Sequence, residues 1–134
     1  MRRILEFLAK EGSFLYEDAG FSIVASEYLP SFGGTGSVTL SDTVIELRLH
    51  LDRDRLMLDF RGSSRKSPQE WFSVDVVRQL LTAETDMGFL DAGNVEFLRS
   101  RIVELRQRFS QSQLVSTEAA LRQLEKQRSK RLFG

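Results

Sequence analysis

The stretch TVIELRLHLDRDRLMLDFR, Thr43 to Arg61, alternates apolar and polar side chains on either side of a short charged break. Ile45, Leu47, Leu49 and Leu51 fall on one side, with Glu46, Arg48 and His50 on the other. After the break, Leu56, Leu58 and Phe60 repeat the pattern. A period of two predicts a pair of half-buried antiparallel strands. With Arg53 and Asp54 at the turn, the numbers of facing residues sum to 107. Leu51 then meets Leu56, Leu49 meets Leu58 and Leu47 meets Phe60. On the opposite face the same register sets Asp52 against Arg55, Arg48 against Asp59 and Glu46 against Arg61. Each opposite-charge pair contributes roughly 0.2–1 kcal/mol and helps to fix the register. The turn lacks the Asn-Gly that two-residue hairpins favour, which leaves room for a longer tip.

The same stretch holds three aspartates (Asp52, Asp54, Asp59) and the only histidine of the chain, a composition that invites a metal-site reading. A metal site needs carboxylates that converge without cations between them. Here the register sets Asp52, Asp59 and Glu46 each against a base. The calcium-loop pattern also fails, because Leu56 and Met57 occupy positions that require a ligand and a glycine. No metal ligand is therefore assigned, and the cluster reads as hairpin architecture.

On the N-terminal side, Ile4, Leu5, Leu8, Phe14 and Leu15 follow helical spacing, interrupted at Gly12 and Ser13, so two short helices are expected. Gly20 suits a helix C-cap. FSIVASEYL (21–29) reads as a strand, PSFGGTGS (30–37) as a loop, and VTL (38–40) as the start of a second strand. On the C-terminal side, EWFSV (70–74) reads as a last short strand, and Asp75 as the N-cap of a helix through VVRQLLTAE. Residues 85–94 form a connector. Val95, Leu98, Ile102, Leu105 and Phe109 make one helical stripe, and a final helix from about Thr117 buries Leu121 and Leu124. The expected class is α+β in a single domain, 1–134: an N-terminal helix, an antiparallel sheet of about four to five strands, then C-terminal helices packed on one sheet face.

The composition fits that reading. With 134 residues, 41% hydrophobic, 28% charged and zero net charge, the chain can bury one core and is not of the disordered class. No apolar run reaches the ~20 residues of a membrane span. MRRILEFLAKEG reads as a mature start, not a secretory signal. The absence of cysteine excludes disulfides and thiol chemistry, and cytoplasm is the expected compartment. The charge is unevenly placed. Residues 99–134 carry nine bases and three acids, net +6, which leaves ten bases and sixteen acids, net −6, in residues 1–98.

Candidate chemistry is sparse. SFGGTGS has the glycines of a phosphate loop but lacks its Lys-Ser/Thr and precedes a strand, not a helix. Ser31, Thr35 and Ser37 have no identifiable activating base, so no catalytic residue is assigned and no cofactor is implied. A hydrolase, were the chain an enzyme, would be built around His50 with Asp52 or Asp59. Trp71 and Phe72 are adjacent in a strand and point to opposite faces, one to the core and the other to a partly buried edge position. The basic tail, with Arg122, Lys126, Arg128, Lys130 and Arg131, supplies phosphate-binding charge but lacks interleaved aromatics or a reading-helix motif. Its cations can equally lie on the acidic remainder of the chain.

The run IELRLHLDRDRLMLDFRGS…EWFSVDVVRQLL, followed by amphipathic helices and a final RLFG, resembles a loose class of small bacterial proteins, some of which are similar to immunity proteins of toxin systems. The likeness implies a protein-binding role and carries no catalytic residues. The expected function is thus a non-enzymatic protein-binding module with Glu46, Arg48, His50, Asp59 and Arg61 as partner contacts. The alternative is a nucleic-acid binder using the tail. A homodimer through a sheet edge or the last helix is also open to the chain.

Overall fold

The computed structural model describes residues 1–29, 35–63, 70–85 and 87–133. Two short helices, α1 (Arg2–Ala9) and α2 (Phe14–Glu17), lead into a five-stranded sheet. Its strands are β1 (Ser22–Leu29), β2 (Thr35–Ser41), β3 (Ile45–Asp52), β4 (Arg55–Gly62) and β5 (Phe72–Ser73), arranged in that order and antiparallel throughout. Helices α3 (Val74–Thr82), α4 (Ala92–Ser100), α5 (Ile102–Arg108) and α6 (Leu114–Phe133) complete an α+β chain.

The central hairpin has the expected register. Leu51 faces Leu56, Leu49 faces Leu58, Leu47 faces Phe60, and the three acid–base pairs stand opposite one another on the other face. The tip is no longer than two residues. Arg53 and Asp54 both adopt positive φ, 51° and 69°, as a tight primed turn requires. The zipped apolar pairs hold these two residues in a conformation that neither favours by itself.

One face of β2, β3 and β4 presents Val38, Leu40, Ile45, Leu47, Leu49, Leu58 and Phe60, all essentially buried. Over it lie Ile4 and Leu8 of α1, Val76 and Val77 of α3, Leu98 of α4, Leu105 of α5 and Leu121 of α6, joined in one core. The Phe60 and Phe109 rings stack at 6.2 Å. Gly62 lets α6 approach, because a Cβ there would stand 2.7 Å from Leu114 Cδ1.

Several boundaries move. The PSFGGTGS loop is shorter than expected, since Thr35, Gly36 and Ser37 already belong to β2; residues 30–34, with Ser31, lie outside the described residues. The strand in EWFSV is confined to Phe72 and Ser73. Ser73, not Asp75, holds the N-cap position of α3. Asp75 instead enters the first helical turn, where its carboxylate accepts from Ser73 Oγ at 2.5 Å and complements the helix dipole. The single stripe from Val95 to Phe109 is carried by two helices that break at Arg101. The last helix starts three residues early, at Leu114.

The charge division becomes structure. Asp42 turns the chain between β2 and β3, its Oδ1 accepting from the N–H groups of Val44 and Ile45 at 3.0 and 2.8 Å. Its other oxygen accepts from Arg106 Nε of α5 at 2.5 Å, and the same guanidinium also donates to the Ala19 carbonyl. Arg122 pairs with Glu70, and Arg128 with Asp75 and Ser73. Three cations of the basic segment 99–134, Arg106, Arg122 and Arg128, thus lie on the acidic remainder.

Candidate functional site

The outer face of the sheet gathers all five residues expected to contact a partner. Glu46, Arg48 and His50 stand on β3, and Asp59 and Arg61 on β4. They are brought together in a mutually neutralising array. Arg48 donates through Nε and Nη2 to Asp59 Oδ2, at 3.2 and 2.7 Å, and Arg61 Nε donates to Glu46 Oε1 at 2.6 Å. His50 Nε2 lies 2.8 Å from the same Asp59 oxygen, but the geometry does not make it a formed hydrogen bond. Asp52 and Asp54 are exposed and lie at the hairpin tip, away from this cluster.

Asp59 is the anchor of the array and, at 7% exposure, is buried. Burial alone would raise its carboxyl pKa, but the contacts and positive charge of His50 and Arg48 outweigh that and hold it below the ordinary carboxylate value. Asp59 is therefore a fixed anion.

Trp71 completes the face. Phe72 enters the core, fully buried, and its neighbour is sent to the outer side, where it is half-buried. The guanidinium carbons of Arg48 and Arg61 lie over the Trp71 ring, 4.6 and 4.2 Å from its centroid. Cation–π contacts of this kind contribute about 0.5–1 kcal/mol at exposed sites. The same two arginines thus bond to carboxylates at their edges and stack on an indole with their faces. Further along the hairpin, Arg55 covers the Phe89 ring at 4.4 Å.

Beside the cluster, a shallow cleft of about 270 Å³ is lined by Glu27, Thr35, Ser37, Arg48 and His50. Ser37 stands directly opposite His50 across β2 and β3. It forms no hydrogen bond with the imidazole, and the imidazole Nε2 is turned toward Asp59. Ser37, His50 and Asp59 share a face without the relay that would activate the hydroxyl. Among the described residues no group of three or more His, Cys, Asp or Glu side chains converges to hold a metal ion.

The tail residues divide. Arg122 and Arg128 are engaged with Glu70 and Asp75, whereas Lys126, Lys130 and Arg131 are exposed near the end of α6. Among the described residues no helix is long and apolar enough to cross a membrane. Two features escaped the sequence reading. The Arg106–Asp42 tie joins positions 64 apart with no local signal, and the stacking of Trp71 on two strands' arginines depends on where β5 docks.

Comparison with family models, curated proteins and solved structures finds no match to this chain.

Proposed function

We propose that this chain is a non-enzymatic protein-binding module that engages its partner through the outer sheet face, centred on Trp71, Arg48, Arg61 and His50. The observation that carries the reading is the half-buried tryptophan with two guanidinium groups on its ring. Trp and Arg are the residue types most enriched at energetic hot spots, and rigid, preorganised side chains lose little entropy on binding. The internal pairing of Glu46, Arg48, Asp59 and Arg61 fixes the platform, so it presents shape and an ordered charge pattern, not loose charges. His50 and the adjoining cleft offer a polar recess at its margin. Neutralisation of a toxin by occlusion is the specific form suggested by the likeness of the hairpin and tryptophan strand to immunity-type proteins.

A nucleic-acid role for the tail is less well supported. Two of its five cations are held by the chain's own carboxylates, and Leu132 and Phe133 sit exposed beside the other three.

The test is an affinity capture from the source cell's lysate with wild type and Trp71→Ala, each with and without nuclease. A stoichiometric protein that survives nuclease and is lost with Trp71→Ala is the expected result. Retention by Trp71→Ala, with unchanged circular dichroism, would remove the outer face as the site. Material lost on nuclease treatment would transfer the function to the tail.

A further inference from the structure

Among the described residues, nothing pairs with the outer edge of β1. From Ser22 to Tyr28 every side chain is exposed, with Ile23 and Val24 at 56% and Tyr28 at 54%. Ile23 shares an apolar groove with Leu5 of α1 and Tyr16 of α2, themselves 54% and 44% exposed. Half-exposed side chains of this size leave on the order of 500 Å² of apolar surface, near the top of the ~300–600 Å² that monomers carry as one patch. The usual protections of an edge strand, lysine, proline or an inward charge, are missing from SIVASEYL. Only a bulge between Ile23 and Ala25 and the single charge of Glu27 interrupt it.

We infer that β1 pairs antiparallel with β1 of a second copy, continuing the sheet across a two-fold axis. The arithmetic of facing numbers selects the register. Beyond the bulge, Ala25 and Glu27 point to the outer face and Ser26 and Tyr28 to the inner face, as their partners Thr39, Ser37, Val38 and Gly36 show. Facing residues on a regular pair share a side, so their numbers sum to an even value. A sum of 54 sets Glu27 against its own copy, a like-charge apposition. A sum of 50 sets Ile23 against Glu27. A sum of 52 pairs residues 24–28, sets Glu27 against Ala25, Val24 against Tyr28 of the second copy, and Ser26 on the axis. It also brings the two apolar patches to the joint, together roughly 1,000 Å², about the lower bound of a biological interface.

The chain has no cysteine, so Ser26→Cys reports this register cleanly. Sedimentation of the full chain is expected to give a dimer, Val24→Lys a monomer with the wild-type circular dichroism spectrum, and Ser26→Cys a disulfide-linked dimer on mild oxidation. A wild-type monomer at every concentration would overturn the inference. So would a dimer that survives Val24→Lys and does not cross-link through Ser26→Cys.

Discussion

Between Ile45 and Gly62 the sheet buries almost every second side chain and holds Glu46, Arg48, Asp59 and Arg61 in ion pairs; between Ser22 and Tyr28 it buries none. Both stretches are rich in strand-forming residues. The central hairpin is flanked on both sides, so folding accounts for its whole pattern: apolar residues for the core, alternating charges for the register. Among the described residues nothing covers Ile23, Val24 and Tyr28 at the edge. The opposite margin of the sheet shows what a protected edge looks like. There β4 is met by the two residues of β5, by a bridge from Met57 to Phe89, and by the Leu90 N–H bonding to the Leu56 carbonyl at 2.8 Å. Apolar residues left over once folding is explained are the natural place to look for association.

The sharpest way to break this contrast is to truncate one residue from each region. Leu47→Ala removes a side chain that is fully buried at the centre of the sheet, and should cost about 2–5 kcal/mol in urea unfolding. Ile23→Ala, measured at concentrations where the chain is monomeric, should stay within about 0.5 kcal/mol of wild type. Comparable losses would mean that the β1 edge is part of the core and that its exposure is not free surface.

The contrast also explains what could be read from the sequence. The β3–β4 register was legible because its apolar and charged residues are matched locally, across one hairpin, and only one alignment satisfies both faces. The five outer-face residues were legible for the same reason. SIVASEYL looks as core-like as any strand, because exposure depends on where the helical layer stops, not on the strand itself. The cap of α3 was misplaced by two residues, since Ser73 and Asp75 are both competent and the docking of β5 on β4 decides between them. The early start of α6 was hidden by the serines and two glutamines of SQSQLVS, and Thr117 Oγ1 in fact bonds back to the Arg108 carbonyl at 2.6 Å.

A second test sharpens the centre. Asp59 is shared by Arg48 and His50, and replacing it by Asn should cost about 1–3 kcal/mol, because the Arg48 guanidinium loses its anion on a half-buried face. The pH dependence gives the sign. The folded-state pKa lies below the unfolded value of about 3.9, so the contribution is present above that value and is lost as pH falls through the lowered one. Wild type should therefore lose stability on acidification below about pH 4 more steeply than Asp59→Asn. Equal acid limbs would show that Asp59 does not hold the outer face together.

A smaller change, and a gain, tests whether the centre is strong enough to impose its turn. Arg53 and Asp54 both occupy the left-handed region, which side chains with a Cβ adopt at a cost. The zipped register dictates that conformation, and the residues at the tip only submit to it. Combining Arg53→Asn with Asp54→Gly supplies the residue types the geometry prefers, while leaving every cross-strand partner in place. The double variant should raise stability by about 0.5–1 kcal/mol with unchanged chemical shifts at Leu47 and Leu58. A loss of stability, or shifted resonances along β3, would mean that the tip is not a tight two-residue turn and that the register is set elsewhere. The same pair of substitutions should leave the sedimentation of the chain untouched, because the tip lies on the central hairpin while the inferred contact between copies is confined to β1.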